Sequence, residues 1–179
     1  MSKGDTPLND VDFSELTFVV AEDGAYMRTI IRNMLQGFGC RKIHEAEDGA
    51  AALELIERVM PDIVLLDWVM PVLDGSDVMR MIRQPDHPMA YVPVIMVTAH
   101  TERKRIMEAR QLGVHEVLSK PLSAKAISQR IRSVILQPRP FINEGGYFGP
   151  EPREIISNRS TASAALRAKE RAQGKQAEG

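Results

Sequence analysis

Short apolar runs alternate with helical patterns between Leu16 and Leu136, and this alternation constrains the fold more than any other feature of the chain. The runs predict five strands, at residues 18–21, 42–46, 63–67, 92–98 and 117–118. After each run, apolar residues recur every three or four positions, as Met27, Ile30 and Met34 do after the first. Strands separated by helices pair in parallel, because each crossover returns the chain to the same edge. Right-handed crossovers then favour an α/β fold with a doubly wound five-stranded parallel sheet and helices on both faces.

A single carboxylate closes the third run. Residues 63–66 are Ile, Val, Leu and Leu, which is typical of a strand buried on both faces, and Asp67 follows at the C-terminal tip. Ligands of open α/β sheets bind just beyond these strand ends. Asp67 is therefore either a strand-end cap or a residue with a chemical role, and the other strand ends favour the chemical role.

Polar side chains stand at the ends of four predicted strands. Glu22 and Asp23 follow the first, Asp67 ends the third, Thr98 ends the fourth and Lys120 follows the fifth. Neighbouring carboxylates disfavour one another's charge, and Mg²⁺ relieves that repulsion. A carboxylate flanked by metal, hydroxyl and ammonium suits phosphoryl transfer, which depends on positioning and charge neutralisation. The set predicts an acyl phosphate on Asp67, with Thr98 and Lys120 contacting the phosphoryl oxygens.

In these motifs the chain resembles the CheY-like receiver domains of bacterial response regulators. The resemblance spans about residues 15–136 and rests on Glu22-Asp23, Asp67 with Met70-Pro71 and Gly75, Val97-Thr98-Ala99 and Lys120-Pro121. It implies a flavodoxin-like fold, a cis Lys120-Pro121 bond, and phosphorylation of Asp67 by a histidine kinase or histidine phosphotransfer protein. It also implies Mg²⁺ held by Asp23, Asp67 and the backbone carbonyl of Trp68, with Glu22 acting through water.

One position departs from the family. Receivers often carry Tyr or Phe three residues before the lysine, and Val117 stands there. The resemblance therefore leaves open how activation is read out.

Two further expectations concern side-chain exposure. Trp68, next to the nucleophile, is expected to be a partly exposed loop aromatic. The four histidines lack metal-ligand spacing, and we expect solvated side chains for His44, His87 and His115. His100 is the exception, because it follows Thr98 by two residues and is expected near the mouth of the site.

Three segments are expected: an N-terminal segment at 1–14, a receiver domain at 15–136 and a C-terminal extension at 137–179. Prolines at 138 and 140 break the last helix, and residues 160–179 have little to bury, so the tail is predicted to be largely irregular and flexible. Three of the nine aromatic residues, Phe141, Tyr147 and Phe148, lie in the extension. We expect them to dock on the domain or on a partner. The extension is too short and too polar for a DNA-binding output domain.

Composition limits the remaining function classes. The net charge is -1, which gives no reason to expect direct nucleic-acid or membrane partners. No run approaches the roughly 18 apolar residues of a membrane span. The N-terminus lacks signal-peptide features, and the one cysteine, Cys40, cannot form an internal disulfide. These features predict a cytoplasmic protein.

The favoured function is that of a stand-alone two-component response regulator. Mg²⁺-dependent phosphorylation of Asp67 would switch binding of a partner protein, with no enzyme activity beyond phosphorylation from small donors and self-dephosphorylation. A phosphate sink or shuttle in a phosphorelay would use the same residues and stays open, as does a weak homodimer.

Two other classes fit less well. An aspartyl-nucleophile Mg²⁺ phosphohydrolase usually has a second acid two residues after the nucleophile, where Val69 stands. A flavin-binding module would need a phosphate-cradling loop where Glu22 and Asp23 would repel phosphate.

Overall fold

The fold is a five-stranded parallel sheet, described here from a computed structural model over residues 11–153. Its strands are β1 (Thr17–Ala21), β2 (Lys42–Ala46), β3 (Ile63–Asp67), β4 (Val94–Thr98) and β5 (Glu116–Ser119). They alternate with α1 (Ala25–Gly37), α2 (Gly49–Val59), α3 (Gly75–Ile82), α4 (Arg103–Gln111) and α5 (Ala124–Leu136). The strand order is β2-β1-β3-β4-β5, with every pair parallel. The predicted flavodoxin-like, doubly wound α/β fold is confirmed. The expectations for residues 1–10 and for the tail from 154 onward, including 160–179, lie outside the described residues.

Alternate residues of the central strands pack on opposite faces of the sheet. On one face, Val64 and Leu66 of β3 belong to a buried cluster that also contains Ile56 of α2 and Val78 of α3. On the other face, residues 63 and 65 join a second buried cluster. That cluster draws on α1 and α5 and includes Cys40, whose thiol pKa burial raises to about 11. Helices therefore cover both faces, and the open positions for a ligand lie at the strand ends.

Side-chain caps fix the start of three helices. The carboxylate of Asp48 accepts from the backbone N–H of Ala51 at 2.7 Å ahead of α2. Asp74 and Asp77 form a reciprocal capping box at α3, directly after the loop that carries Asp67. Ser123 caps α5. Helix α4 has no side-chain cap bond and buries a single side chain, that of Ala109.

A β-hairpin follows α5, so the prediction of an irregular tail is wrong for residues 141–150. Strands β6 (Phe141–Glu144) and β7 (Tyr147–Pro150) pair antiparallel across Gly145 and Gly146. Both glycines have positive φ, 60° and 80°, as a tight two-residue hairpin turn demands. The chain therefore continues as ordered structure beyond the last helix.

The hairpin packs on the domain at the edge of the sheet opposite Asp67. The ring centroids of Phe141 and Phe148 lie 4.9 Å and 5.5 Å from that of Tyr91, which precedes β4. The guanidinium of Arg83 lies 5.3 Å from the centroid of the Phe141 ring. The expected docking of the extension's aromatic residues on the domain is therefore observed for Phe141 and Phe148.

Arg83 hydrogen-bonds to two loops that lie beneath the hairpin, the one before β4 and the one before β5. It is 6% exposed and donates to the carbonyls of Ala90, Val92 and Gly113 at 2.8, 2.7 and 3.0 Å. Burial lowers its pKa to about 9. Three loop carbonyls thus share one buried cation.

His115 lies beside this arginine, and the expectation of a solvated side chain is wrong for it. Its Nδ1 accepts from the backbone N–H of Val94 at 3.3 Å. Burial, together with the charges of Arg83 and Arg139, lowers the pKa of His115 to about 3. The imidazole is therefore neutral at physiological pH.

Each helix within the described residues is too short or too polar to cross a bilayer.

Replacing Gly149 should loosen the hairpin. A Cβ there would meet the Cα of Gly113 at 2.7 Å and the hydroxyl of Tyr147 at 2.6 Å. We expect Gly149→Ala to lower the free energy of unfolding by about 1–3 kcal/mol, as measured by urea denaturation. The control is Gly37→Ala at the end of α1, where a Cβ meets nothing within 4 Å and should stabilise by about 0.5–1 kcal/mol. Equal effects of the two substitutions would contradict the docked hairpin.

Val72 stores backbone strain in the loop after Asp67. It has φ of 67° and is 77% exposed, an uncommon conformation for a β-branched residue with little packing to lose. We expect Val72→Asn to raise the free energy of unfolding by about 1 kcal/mol, because asparagine tolerates this region. Val69→Asn, at an exposed position of the same loop without positive φ, should bring no gain in the same urea titration.

Candidate functional site

The ends of β1 and β3 bring the three predicted acidic residues together. Parallel pairing places Ala21 of β1 beside Leu66 of β3, so the next residues, Glu22 and Asp67, are neighbours. One carboxylate oxygen from each of Glu22, Asp23 and Asp67 lies within 4.8 Å of the others. The side chains of Glu22 and Asp67 are buried, whereas Asp23 is exposed at the mouth. The arrangement is an acidic pocket at the C-terminal edge of the sheet.

Lys120 reaches into this pocket from the end of β5. Its ammonium donates to Oε2 of Glu22 at 2.8 Å and to Oδ2 of Asp67 at 2.9 Å. Burial alone would lower the lysine pKa, but these two hydrogen bonds outweigh it and raise the pKa above the usual 10.5. The bond between Lys120 and Pro121 is cis, as the family resemblance implied. The lysine therefore neutralises part of the charge that three clustered carboxylates would carry.

Thr98 lies at the end of β4, on the side of the site next to β5. The Cα of Asp67 pairs with that of Val97, so Thr98 stands one residue beyond the partner of Asp67. Thr98 is buried, and its Oγ1 accepts from the backbone N–H of His100 at 2.9 Å. That bond uses a lone pair and leaves the hydroxyl hydrogen for donation.

The two oxygens of Asp67 face different groups. Oδ2 bonds to Lys120, while Oδ1 accepts a long bond of 3.4 Å from the backbone N–H of Val69. Gly75 packs against the backbone here, since a Cβ at residue 75 would lie 2.3 Å from the Asp67 carbonyl oxygen. The absence of a side chain at Gly75 therefore allows the N-terminus of α3 to pack closely against the end of β3.

Trp68 is buried, so the expectation of a partly exposed aromatic is wrong. Its exposure is 4%, and the guanidinium of Arg105 in α4 lies 5.5 Å from the centroid of its ring. The Trp68 carbonyl accepts from the backbone N–H of Gly75 at 2.8 Å. A carbonyl oxygen has two lone pairs, so this bond leaves one for a metal ion.

Sequence reasoning missed two residues that hold the site in place. Arg28 of α1 donates to the Glu22 carbonyl at 2.8 Å and fixes the loop that carries the acids. Arg105 covers Trp68 from a helix nearly forty residues further along the chain. Arg28 could have been suspected because it follows the acidic pair by about one helical turn. No local pattern around Arg105 points to Trp68.

The donor set suits a hard divalent cation. Carboxylates of Glu22, Asp23 and Asp67 and the Trp68 carbonyl are all oxygen donors, and Mg²⁺ prefers such ligands together with water. An incoming cation would have to compete with Lys120 for Glu22 and Asp67.

Comparison with known proteins identifies the family to which this architecture corresponds. The pattern of the response regulator receiver domain family matches residues 18–132. Chemotaxis protein CheY-3 of Vibrio cholerae is 33% identical over 119 residues, which are 66% of this chain and 91% of that protein. Chemotaxis protein CheY of Pseudomonas aeruginosa is 34% identical over 119 residues, 66% of this chain and 95% of its own length.

A solved structure agrees with the sequence relatives. The receiver domain of sensor histidine kinase PA1611 from Pseudomonas aeruginosa was crystallised with a magnesium ion coordinated in its active-site cleft. It is 32% identical to this chain, with a TM-score of 0.58, and the match covers 66% of this chain and 94% of that domain.

Removing the Lys120 charge should destabilise the protein. Lys120→Met leaves Glu22 and Asp67 facing each other, and we expect a loss of about 1–3 kcal/mol at pH 7, after allowing for partial exposure. The folded-state pKa of Lys120 is raised, so the stabilisation is full below pH 10.5 and is lost as the pH rises further. Urea denaturation of the variant and the unsubstituted protein, at pH 7 and again above pH 10.5, measures this loss of stability. Lys125→Met, at an exposed position of α5, is the control, and an equal loss in both variants at pH 7 would contradict the assigned contacts.

Proposed function

Because this chain belongs to the response regulator receiver domain family, we propose that it is a two-component response regulator whose phosphoacceptor is Asp67. The observation that carries this proposal is the buried Asp67 carboxylate, held by the Lys120 ammonium at 2.9 Å within an acidic pocket. Phosphorylation by a histidine kinase or a histidine phosphotransfer protein would switch affinity for a partner protein.

The reaction transfers a phosphoryl group from a phosphohistidine or a small phosphodonor. An Asp67 oxygen attacks phosphorus as the bond from phosphorus to the donor breaks. A phosphohistidine, protonated by solvent on its other ring nitrogen, releases a neutral imidazole, and acetyl phosphate releases acetate. The product is an acyl phosphate. Lys120 moves from the free carboxylate to a phosphoryl oxygen, and the Thr98 hydroxyl donates to another. Both roles are positioning and charge neutralisation, which account for most catalysis in phosphoryl transfer.

Glu22, Asp23, Asp67 and the Trp68 carbonyl would hold Mg²⁺, with Glu22 acting through water. The bound ion would neutralise negative charge on the phosphoryl oxygens. The oxygen donor set supports this assignment, as does the magnesium-bound receiver of PA1611 at 32% identity. Asp23, the exposed member, stands where a hydrated ion would enter.

The phosphoryl group would act as a ligand that shifts an equilibrium between two shapes. Thr98 and Lys120 follow the new charge, and the surface formed by α4 and β5 changes with them. Val117 stands at the usual aromatic position, so the readout here depends on Thr98 and the loop after it. A shift cannot exceed the differential affinity of the two shapes for phosphate, so partial activity without phosphate is expected.

Phosphorylation of Asp67 is directly testable. Incubation with acetyl phosphate and Mg²⁺ should add one phosphoryl mass to the intact protein, and beryllofluoride with Mg²⁺ should change Trp68 fluorescence. Asp67→Asn should abolish both responses, because the amide cannot form an acyl phosphate. Asp86→Asn, at an exposed aspartate after α3, should keep both. An unaltered mass for the unsubstituted protein, or a response that survives Asp67→Asn, would rule the proposal out.

A further inference from the structure

The loop that carries Glu22 and Asp23 is held by its main chain as well as by its carboxylates. The backbone N–H of Glu22 donates to the carbonyl of Ala46 at 3.1 Å, and that of Gly24 donates to Oε1 of Glu22 at 3.0 Å. Nη1 of Arg28 donates to the carbonyl of Glu22 at 2.8 Å and to that of Asp23 at 3.4 Å. Arg28 therefore holds both acidic residues through their backbone oxygens.

The guanidinium of Arg28 is itself held between α1 and β2. Its backbone N–H donates to the carbonyl of Gly24 at 2.9 Å, in the first turn of α1. Its Nε lies 3.9 Å from Oε1 of Glu45 in β2, and Arg32, one turn further along α1, donates to the other oxygen of Glu45 at 2.8 Å. The Arg28 side chain is 19% exposed. Its position is thus set by the strand behind it as well as by the loop in front.

Two cations contact the acidic residues, and they do so through different atoms. Lys120 bonds to carboxylate oxygens of Glu22 and Asp67, for which an incoming metal ion would compete. Arg28 bonds to backbone carbonyls that lie outside the proposed set of metal ligands. Lys120 therefore has to move when the pocket fills, whereas the contacts of Arg28 can stay as they are. Arg28 is the cation suited to keeping the loop in one shape.

The shape of the loop matters because divalent cations differ in the geometry that they accept. Mg²⁺ requires a nearly ideal octahedron with oxygens at about 2.0–2.1 Å, whereas Ca²⁺ accepts more oxygens at about 2.3–2.6 Å in flexible arrangements. A loop held in one shape favours the smaller and more demanding ion. Loosening the loop therefore costs Mg²⁺ more affinity than it costs Ca²⁺.

We propose that Arg28 is a positioning residue that sets the selectivity of the metal site for Mg²⁺ over Ca²⁺, by fixing the main chain of Glu22 and Asp23. The inference rests on the proposed function, since it concerns the Mg²⁺ site that phosphorylation of Asp67 would use. Hydrogen-bond partners that orient metal ligands contribute about 10–100-fold to metal affinity.

The charge of Arg28 has the opposite effect on metal binding from its positioning role. A guanidinium near the pocket repels every divalent cation, so loss of the charge alone would strengthen binding of Mg²⁺ and Ca²⁺ alike. Loss of positioning weakens binding, and it weakens Mg²⁺ binding more. The direction of the change and the difference between the two ions therefore separate the two effects.

NMR titrations of the ¹⁵N-labelled full-length chain with Mg²⁺ or Ca²⁺ at constant ionic strength measure the two affinities. We expect Arg28→Met to raise the Kd for Mg²⁺ roughly tenfold and the Kd for Ca²⁺ by about twofold at most. Arg28→Lys keeps the charge but loses the planar fork, and should raise the Kd for Mg²⁺ roughly threefold. The matched control is Arg32→Met, which removes the neighbouring arginine bonded to Glu45 and Thr29 and should bind both ions like the unsubstituted chain.

Phosphorylation by acetyl phosphate gives a second measurement on the same variants. In Arg28→Met, the Mg²⁺ concentration for half-maximal phosphorylation of Asp67 should rise roughly tenfold, while the rate at saturating Mg²⁺ stays within about twofold of the unsubstituted rate. A general loss of structure would lower the saturated rate as well. Circular dichroism checks that each variant is folded.

The proposal is overturned by equal changes in the Kd values for Mg²⁺ and Ca²⁺, by tighter binding of both ions, or by equal effects of Arg28→Met and Arg32→Met. Unchanged Mg²⁺ affinity in Arg28→Met, with Asp67 still phosphorylated, would defeat this inference and leave the proposed function standing. If the unsubstituted chain binds no Mg²⁺, the proposed metal site and this inference fail together.

Discussion

The two hydrogen bonds of Lys120 are the interaction on which the rest of this structure depends. Glu22 and Asp67 are buried side by side, and two such carboxylates cannot both stay charged without a cation. The fold supplies that cation from a strand that is remote in sequence, through the parallel order β2-β1-β3-β4-β5. Any metal or phosphoryl group that enters must rearrange this resident ion pair, so binding and conformational response share one set of contacts.

Strand β5 links the two ends of the molecule. Glu116, at its first residue, holds Arg130 and Arg153, while Lys120, just after its last, holds the acidic pocket. Lys120 is four positions after Glu116, which corresponds to about 13 Å along an extended strand. The extension is attached at the far end of the strand that carries the site lysine. A shift of β5 would therefore move both the site lysine and the point where the extension is attached.

The five-stranded fold and the gathering of the polar strand ends could be predicted because both follow from periodicity and from the parallel rule. The bounds of β2 and β3 agree with those predicted from the apolar runs. The hairpin was not predicted because strands of four residues are too short to show an alternation of apolar and polar residues. The pair Gly145-Gly146 was nevertheless a signal for a two-residue hairpin turn. The burial of Trp68 and the partial burial of His115 could not be predicted, because each side chain contacts a segment distant in sequence. Arg105 of α4 covers Trp68, while Arg83 and Arg139 surround His115.

The lone cysteine has a consequence for the kind of signal this protein can carry. Cys40 lies within the cluster beneath α1 and α5, and its pKa of about 11 leaves almost no thiolate at physiological pH. Peroxides, electrophiles and disulfide exchange all act on the thiolate at an accessible surface. The single thiol of the protein therefore does not react with oxidants in its surroundings. Oxidation of Cys40 is not a route by which oxidative stress could alter the phosphorylation chemistry proposed at the other end of the sheet.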